Sequence, residues 1–383
     1  MCGIFGYVGP RATAGLLLES LKRMEYRGYD SWGLGLGTPD NILLHREAGR
    51  IPPAPPDGLQ DQAPRCWGGI AHTRWATHGA PSAPNAHPHA DCTGRIAVVH
   101  NGIIENHSAL RRELISKGHT FKSDTDTEVI PHLIEEALQD GNDFRSAFLS
   151  ALKLLQGAYG VVAVSADQPD LILAARQGSP LVLGVGEDET LVASDAAALV
   201  AHTRRVIYLN DGEAASLRAG TCETHDLDAA PISKTVQEIA FDLPDIERGG
   251  HPHFMLKEIF EQPETIRNAF RGRIVRSEGM AKLGGIDEDL LRRVKRCHIL
   301  ACGTSWHAGL IGKYLLENLA RVPTEVNYAA EFRYANPVIS PDTMVIAISQ
   351  SGETADTLAG VREATRRGAH AIGVCNVVGS TIA

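Results

Sequence analysis

The chain has 383 residues, of which 43% are hydrophobic and 22% charged, with a net charge of −9. That length suggests two or three domains, each with its own core, and the acidic balance without any dense Lys/Arg cluster argues against nucleic-acid binding. No apolar run approaches the roughly 20 residues of a membrane helix, and the start Met1-Cys2-Gly3-Ile4-Phe5-Gly6 is neither a signal peptide nor a myristoylation site.

Residues 1–225 read as mixed strand and helix. Ile4 to Val8 is a short apolar strand, and Leu17, Leu21 and Met24 follow at helical spacing, with Gly28 as a stop. The Pro- and Gln-rich stretch Ile51 to Pro64 reads as a loop. Further strands are expected at Ile96 to Val99, Gly160 to Ser165, Leu171 to Ala175, Leu181 to Val185 and Arg205 to Leu209. Scattered prolines and a Gly pair make Asp228 to Gly250 a linker, and Leu256, Ile259 and Phe260 share a helix face before Pro263. Beyond Ile286 the pattern changes to short, fully apolar strands at Cys297 to Cys302, Met344 to Ser349 and Ala371 to Cys375. Turns and helices between them predict a parallel sheet buried on both faces.

The seven cysteines (Cys2, Cys66, Cys92, Cys222, Cys297, Cys302 and Cys375) are odd in number and form no C-x-x-C pair. This argues against a disulfide framework or zinc ribbon and fits a reducing cytoplasm. Removal of Met1 places the Cys2 thiol beside a free α-amine. With reference pKa values of about 8.5 and about 7.7–8.0, the amine can serve as base for the thiol near neutral pH. Position alone equally suits a small apolar residue in an edge strand, so the remaining motifs have to decide.

Five segments occur in order: Cys2-Gly3-Ile4, Tyr26 to Ser31 (YRGYDS), His72 to Gly79 (HTRWATHG), His100 to Asn106 (HNGIIEN) and Ser123 to Glu128 (SDTDTE). The pattern resembles the glutaminase domain of the class II, N-terminal-nucleophile amidotransferases. The resemblance implies that Cys2 attacks the side-chain amide of L-glutamine, forming a glutamyl thioester and releasing ammonia. It implies an oxyanion hole from the Asn101 side chain and the Gly102 N–H, a donor pair suited to a tetrahedral anion. By itself, Asn101-Gly102 also reads as a two-residue hairpin turn. Arg74 is implied as the clamp for the substrate α-carboxylate, where the plain alternative is a surface arginine. Asp126 is implied as the partner of the α-ammonium, although Thr125-x-x-Glu128 also reads as a capping box before Ile130, Leu133, Ile134 and Ala137. Trp75, Thr77 and His78 fall in a Gly/Pro-punctuated segment suited to a lid over bound glutamine. Histidines 72, 78, 87 and 89 make a poor zinc site, since no thiolate converges on them.

Gly303-Thr304-Ser305 and Ser349-Gln350-Ser351-Gly352-Glu353-Thr354 each follow an apolar strand and precede a helix, where backbone N–H groups cradle phosphate. Either alone is a common helix cap. The pair is similar to the sugar isomerase (SIS) domain, which implies that Thr304, Ser305, Ser349, Gln350, Ser351 and Thr354 contact a sugar phosphate. Together the two halves are similar to the amidotransferases that pass ammonia to fructose 6-phosphate and make glucosamine 6-phosphate. Other acceptors, as in amidophosphoribosyltransferase or asparagine synthetase, would bring a diphosphate-binding or ATP-pyrophosphatase loop, and neither is present.

The expected architecture is thus an α+β N-terminal-nucleophile hydrolase domain, an αββα sandwich over 1–225, then a linker and connecting helix over 226–286, then an α/β parallel-sheet SIS domain over 287–383. No cofactor or metal is implied; the relatives are homodimeric, and neither membrane nor nucleic acid is a partner. The resemblance also implies a completed SIS domain and a second one that this chain does not reach. Glutamine hydrolysis alone, with apolar sheet edges exposed, is therefore expected; a non-catalytic sugar-phosphate-binding fragment is the alternative.

Overall fold

The computed structural model describes residues 2–11, 13–38, 41–56, 59, 67–76, 78–239, 250–275, 279–281, 286, 288–377 and 380–383. The chain divides into two compact units, 1–247 and 248–383.

The first unit is built on two antiparallel sheets. In chain order the strands are β1 (Gly3–Val8), β2 (Ser31–Gly37), β3 (Ile42–Ala48), β4 (Gly68–Arg74), β5 (His89–Ala90), β6 (Ile96–Ile104) and β7 (Gly157–Ser165). They continue with β8 (Gln168–Gln177), β9 (Val182–Val185), β10 (Thr190–Ala193), β11 (Arg205–Tyr208), β12 (Glu213–Arg218), β13 (Thr221–Asp226) and β14 (Gln237–Glu238). One sheet runs β14-β11-β9-β10-β1-β4-β2-β3 and the other β13-β12-β8-β7-β6-β5.

Both sheets are apolar on both faces, and the period of two sorts their residues into layers. Ile4, Ile70, Val99 and Val162 fill the space between the sheets. Phe5 and Ala71, one position on, face helix α1 (Thr13–Arg23) with Leu17 and Leu21. On the far side Val98 and Val161 meet α2 (His107–Ser116), α3 (Val129–Gln139) and α4 (Phe144–Leu154). The result is the αββα sandwich. Strand β2 was hidden because glycine occupies alternate positions between Trp32, Leu34 and Leu36. A Cβ on Gly33 would lie 2.3 Å from the His87 carbonyl oxygen, so the neighbouring layer requires the missing side chain.

The second unit opens with α5 (Phe254–Phe270), which runs through Pro263 rather than ending before it. Proline withdraws one N–H and crowds one carbonyl, yet its φ is compatible with a helix, and good helix formers flank it. A ribbon of β15 (Ile274–Val275) and β16 (Met280–Ala281) and helix α6 (Glu288–Arg293) follow. The parallel sheet comprises β17 (Arg296–Ala301), β18 (Thr324–Tyr328), β19 (Thr343–Ser349) and β20 (His370–Cys375), in the order β18-β17-β19-β20. Helices α7 (Thr304–Leu315), α8 (Ala329–Tyr334) and α9 (Ala355–Arg366) connect them. Strand β18 was not anticipated, because its TEVNY sequence is too polar to read as a buried strand. The apolar cluster here is small, comprising Leu300, Ala329, Phe332, Val345, Ala364 and Ala369. Edge strand β20 is largely exposed, with Val374 at 56%.

Candidate active site

Cys2 immediately precedes β1, a strand hydrogen-bonded on both sides. Its register with β4 pairs Gly3 with Thr73, which carries Cys2 alongside the end of β4. There the Trp75 N–H donates to Cys2 Sγ at 3.2 Å. The YRGYDS segment closes the same corner. A Cβ on Gly28 would stand 2.7 Å from the Arg74 carbonyl carbon, so glycine permits this approach. The Asp30 N–H donates to the Arg74 carbonyl at 3.1 Å, and Asp30 Oδ2 accepts from the Ala76 N–H at 2.9 Å.

Asn101 reaches the same place from the other sheet. Its Nδ2 donates to the Cys2 carbonyl at 3.1 Å, while its Oδ1 is 3.0 Å from His72 Nε2. The amide oxygen can only accept, so His72 carries its proton on Nε2 and fixes the orientation of Asn101. Asn101 and Gly102 are not a hairpin turn. They lie within β6, opposite Gly160 and Tyr159 of β7, because β6 continues to Ile104. Gly102 has φ +134°, and a Cβ there would lie 1.9 Å from the Ala158 carbonyl oxygen. The glycine thus permits a break in the pleat inside a continuous strand.

Arg74 is buried. Its Nη2 donates to the carbonyl oxygens of His78 and, at 3.2 Å, of Gly79. Its Nη1 is also buried and has no hydrogen-bond partner among the described residues. Burial lowers the Arg74 pKa, while the carboxylates of Asp126 and Asp30, and a thiolate at Cys2 when one forms, favour its cation. Asp126 is buried too, and its Oδ2 accepts from the Ile104 N–H at 2.8 Å, two residues beyond Gly102.

The capping box does not form. Glu128 accepts instead from the N–H groups of Lys122 and Ser123, each at 2.7 Å, and Thr125 Oγ1 bonds His89 Nε2 at 2.9 Å. These bonds hold the SDTDTE loop in a non-helical path that delivers Asp126 ahead of α3.

Burial pushes the Cys2 thiol above its ordinary pKa. The Trp75 N–H and the nearby Arg74 and Arg27 guanidinium groups pull it back without overcoming the desolvation. A thiol protonated at neutral pH needs a base. Arg27, which the motif reading left without a role, is held by Asp195 at 2.6 Å.

Trp75 is 45% exposed and meets Tyr29 edge-on, with ring centroids 5.5 Å apart. His78 lies against His107. Thr77 falls outside the described residues. His72, His87 and His89 are buried: His72 stacks on His87 at 4.2 Å, and His87 meets His89 at 4.8 Å. Burial holds His72 down at about 3 and lowers His87 and His89 well below the usual imidazole range, so all three are neutral.

In the second unit, β17 and β19 are adjacent parallel strands with Ala301 opposite Ile348. The chain leaves β17 for β18 on one side and returns to β19 on the other, which is the topological switch point where open α/β sheets bind ligands. Thr304 and Ser305 open α7 beyond the end of β17. At the end of β19, Ser349 Oγ accepts from the Gly352 N–H at 3.0 Å and lies 3.2 Å from Thr354 Oγ1. Ser351 Oγ accepts from the Glu353 N–H at 3.2 Å, and Gln350 lies exposed on the same turn.

Residues 72–201 match the glutamine amidotransferase domain family, and residues 290–383 match the SIS domain family. Two antiparallel sheets between helices, with a cysteine at the head of a central strand, define a glutamine amidotransferase of the N-terminal-nucleophile class. The glutamine–fructose-6-phosphate aminotransferase (isomerizing) of Chlorobaculum tepidum is 52% identical over 389 residues, covering 100% of this chain and 63% of that protein. The whole chain is similar to the first part of that protein. A protein of the same name from Thermus thermophilus is 48% identical over 383 residues, covering 100% of this chain and 62% of its own length. The chain therefore spans somewhat less than two thirds of these relatives. Among solved structures, the glutamine phosphoribosylpyrophosphate amidotransferase of B. subtilis, complexed with ADP and GMP, shares the fold with a TM-score of 0.52. It is 18% identical and covers 98% of this chain and 81% of its own.

Proposed function

We propose that the first unit hydrolyses L-glutamine to glutamate and ammonia, with Cys2 as nucleophile. Once Met1 is removed, the α-amine of Cys2 accepts the thiol proton as Sγ bonds to the amide carbon of glutamine. The carbonyl oxygen becomes an anion held by Asn101 Nδ2, which has a second N–H besides the one on the Cys2 carbonyl, and by the Gly102 N–H. The protonated amine then gives its proton to the leaving nitrogen, ammonia departs, and water cleaves the thioester to glutamate. Arg74 binds the substrate α-carboxylate and Asp126 the α-ammonium, while Trp75 and His78 cover the pocket.

The observation that carries this reading is Arg74 Nη1. It is a buried charged donor without a partner among the described residues, in a corner shared with Cys2 and Asp126. Such a group is costly to leave unmade, and a carboxylate supplies what it lacks.

In the second unit, Thr304, Ser305, Ser349, Gln350, Ser351 and Thr354 bind the phosphate of fructose 6-phosphate. The ammonia is destined for that sugar, as in the relatives named for the reaction, and the product is glucosamine 6-phosphate.

Glutamate release by the wild type and by Cys2→Ala tests the proposal, with the intact mass reporting loss of Met1. Equal rates in the two proteins would remove the nucleophile.

A further inference from the structure

Away from Cys2, three segments distant in sequence meet at one point. Helix α3 presents His132 and Glu135, three residues apart and so on one face. The turn after α2 supplies His119, and the connection between β5 and β6 supplies Cys92. His119 Nδ1 and His132 Nδ1 are 3.3 Å apart, and Glu135 Oε2 lies 3.0 and 3.2 Å from them. Cys92 Sγ lies 3.5 and 3.6 Å from the same two nitrogens.

These edges are those of a coordination tetrahedron. With metal–nitrogen distances of about 2.0–2.1 Å and a metal–sulfur distance of about 2.3 Å, two nitrogens stand about 3.3 Å apart and sulfur and nitrogen about 3.5 Å. Hydrogen bonding alone accounts for the cluster poorly. Among the described residues, the two imidazole nitrogens that face each other and the Cys92 thiol share Glu135 Oε2 as their one carboxylate oxygen, and that oxygen also accepts from the Cys92 N–H at 3.1 Å.

The surroundings are those of a supported ligand set. His119 directs its other ring nitrogen to Glu136 Oε1 at 2.9 Å, and the Thr120 N–H donates to Cys92 Sγ at 3.4 Å. His119, His132 and Glu135 are buried, whereas Cys92 lies at the surface and gives an entry path.

We propose that Cys92, His119, His132 and Glu135 bind one zinc ion in a four-coordinate structural site. A thiolate and two imidazoles disfavour magnesium and calcium, and the thiolate and carboxylate together balance a divalent charge. Four protein ligands leave no open position for water, so the site is structural rather than hydrolytic. It ties the β5–β6 connection and the α2–α3 turn to α3, the helix that follows Asp126.

The untagged chain of residues 1–383, purified without chelator, is expected to hold about one zinc per molecule by elemental mass spectrometry. After stripping and refilling with Co2+, it should show a thiolate-to-cobalt charge-transfer band. Cys92→Ser, a surface substitution, should lose the band and bind zinc at least about tenfold more weakly, and Glu135→Gln should weaken binding similarly with its circular dichroism unchanged. Stripping should lower the Tm of the wild type, and zinc should restore it. A wild type that neither retains zinc nor gives the cobalt band overturns the site. A band that survives in Cys92→Ser overturns the ligand set, and stripping without any change in Tm overturns the structural role.

Discussion

The Trp75 N–H points at Cys2 Sγ from 3.2 Å, so the residue after β4 holds the sulfur at the head of β1. The two strands are paired along their length, and this contact is a product of their register. It stabilises a thiolate only in part, since burial still leaves the thiol pKa raised. Alkylation of Cys2, followed by peptide mass mapping across pH, should therefore show a midpoint above about 8.5. A midpoint near 7 would contradict the desolvation argument.

Replacing Asn101 by Ala should lower kcat for glutamine hydrolysis by about 10²–10³, the usual cost of one oxyanion donor, while KM changes little. A loss confined to KM would instead make Asn101 a binding group.

Arg74→Lys keeps the charge but loses the planar fork. It should raise the KM for glutamine about 10- to 100-fold, corresponding to roughly 1.5–3 kcal/mol for a hydrogen bond to a charged group. Because Arg74 Nη2 also holds the His78 and Gly79 carbonyls, Tm should be followed alongside the kinetics. An unaltered KM would free Arg74 from the substrate.

Gly102→Ala should destabilise the first unit by at least about 2 kcal/mol in urea titrations, through positive-φ strain and the clash with the Ala158 carbonyl. A change below about 0.5 kcal/mol would show that β6 relaxes at this point.

Stability should also fall with acidification in a defined window. His72 titrates at about 3 in the folded chain and at about 6.5 when unfolded. The unfolded state therefore binds more protons between these values. The contribution is complete above about pH 6.5 and is lost as pH falls toward 3, by up to about 1.4 kcal/mol per pH unit for one group. Burial displaces His87, His89 and His100 in the same direction, so they share the slope. His72→Gln, whose amide can still donate to Asn101, should flatten the pH dependence of the urea midpoint only in part; an identical slope would show that His72 contributes nothing to it.

Much of the architecture was readable because its signals are local. The apolar runs at Ile4 to Val8 and Gly160 to Ser165 are strands whichever sheet receives them. The turn-flanked strands at Cys297 and Met344 likewise declare a parallel sheet. Where local grammar misled, a tertiary partner overrode it. Asn101-Gly102 is a turn signal, yet pairing with β7 holds it in a strand. Thr125 and Glu128 have the spacing of a capping box, yet His89 and the Lys122 and Ser123 N–H groups engage them first.

The sequence by itself determined which residue types were available, their order, a mixed strand-and-helix first half and the parallel-sheet pattern of the second, since periodicity is written along the chain, whereas the αββα arrangement was implied only by the resemblance its ordered motifs carry. Tertiary structure alone decided which distant groups share a dielectric environment. Register brings Cys2 to Trp75, burial leaves Arg74 Nη1 unpartnered among the described residues and His72 neutral, and three separated segments bring Cys92 to His119, His132 and Glu135. Desolvation and metal-sized spacing are properties of packed neighbours in space, and no local pattern encodes them.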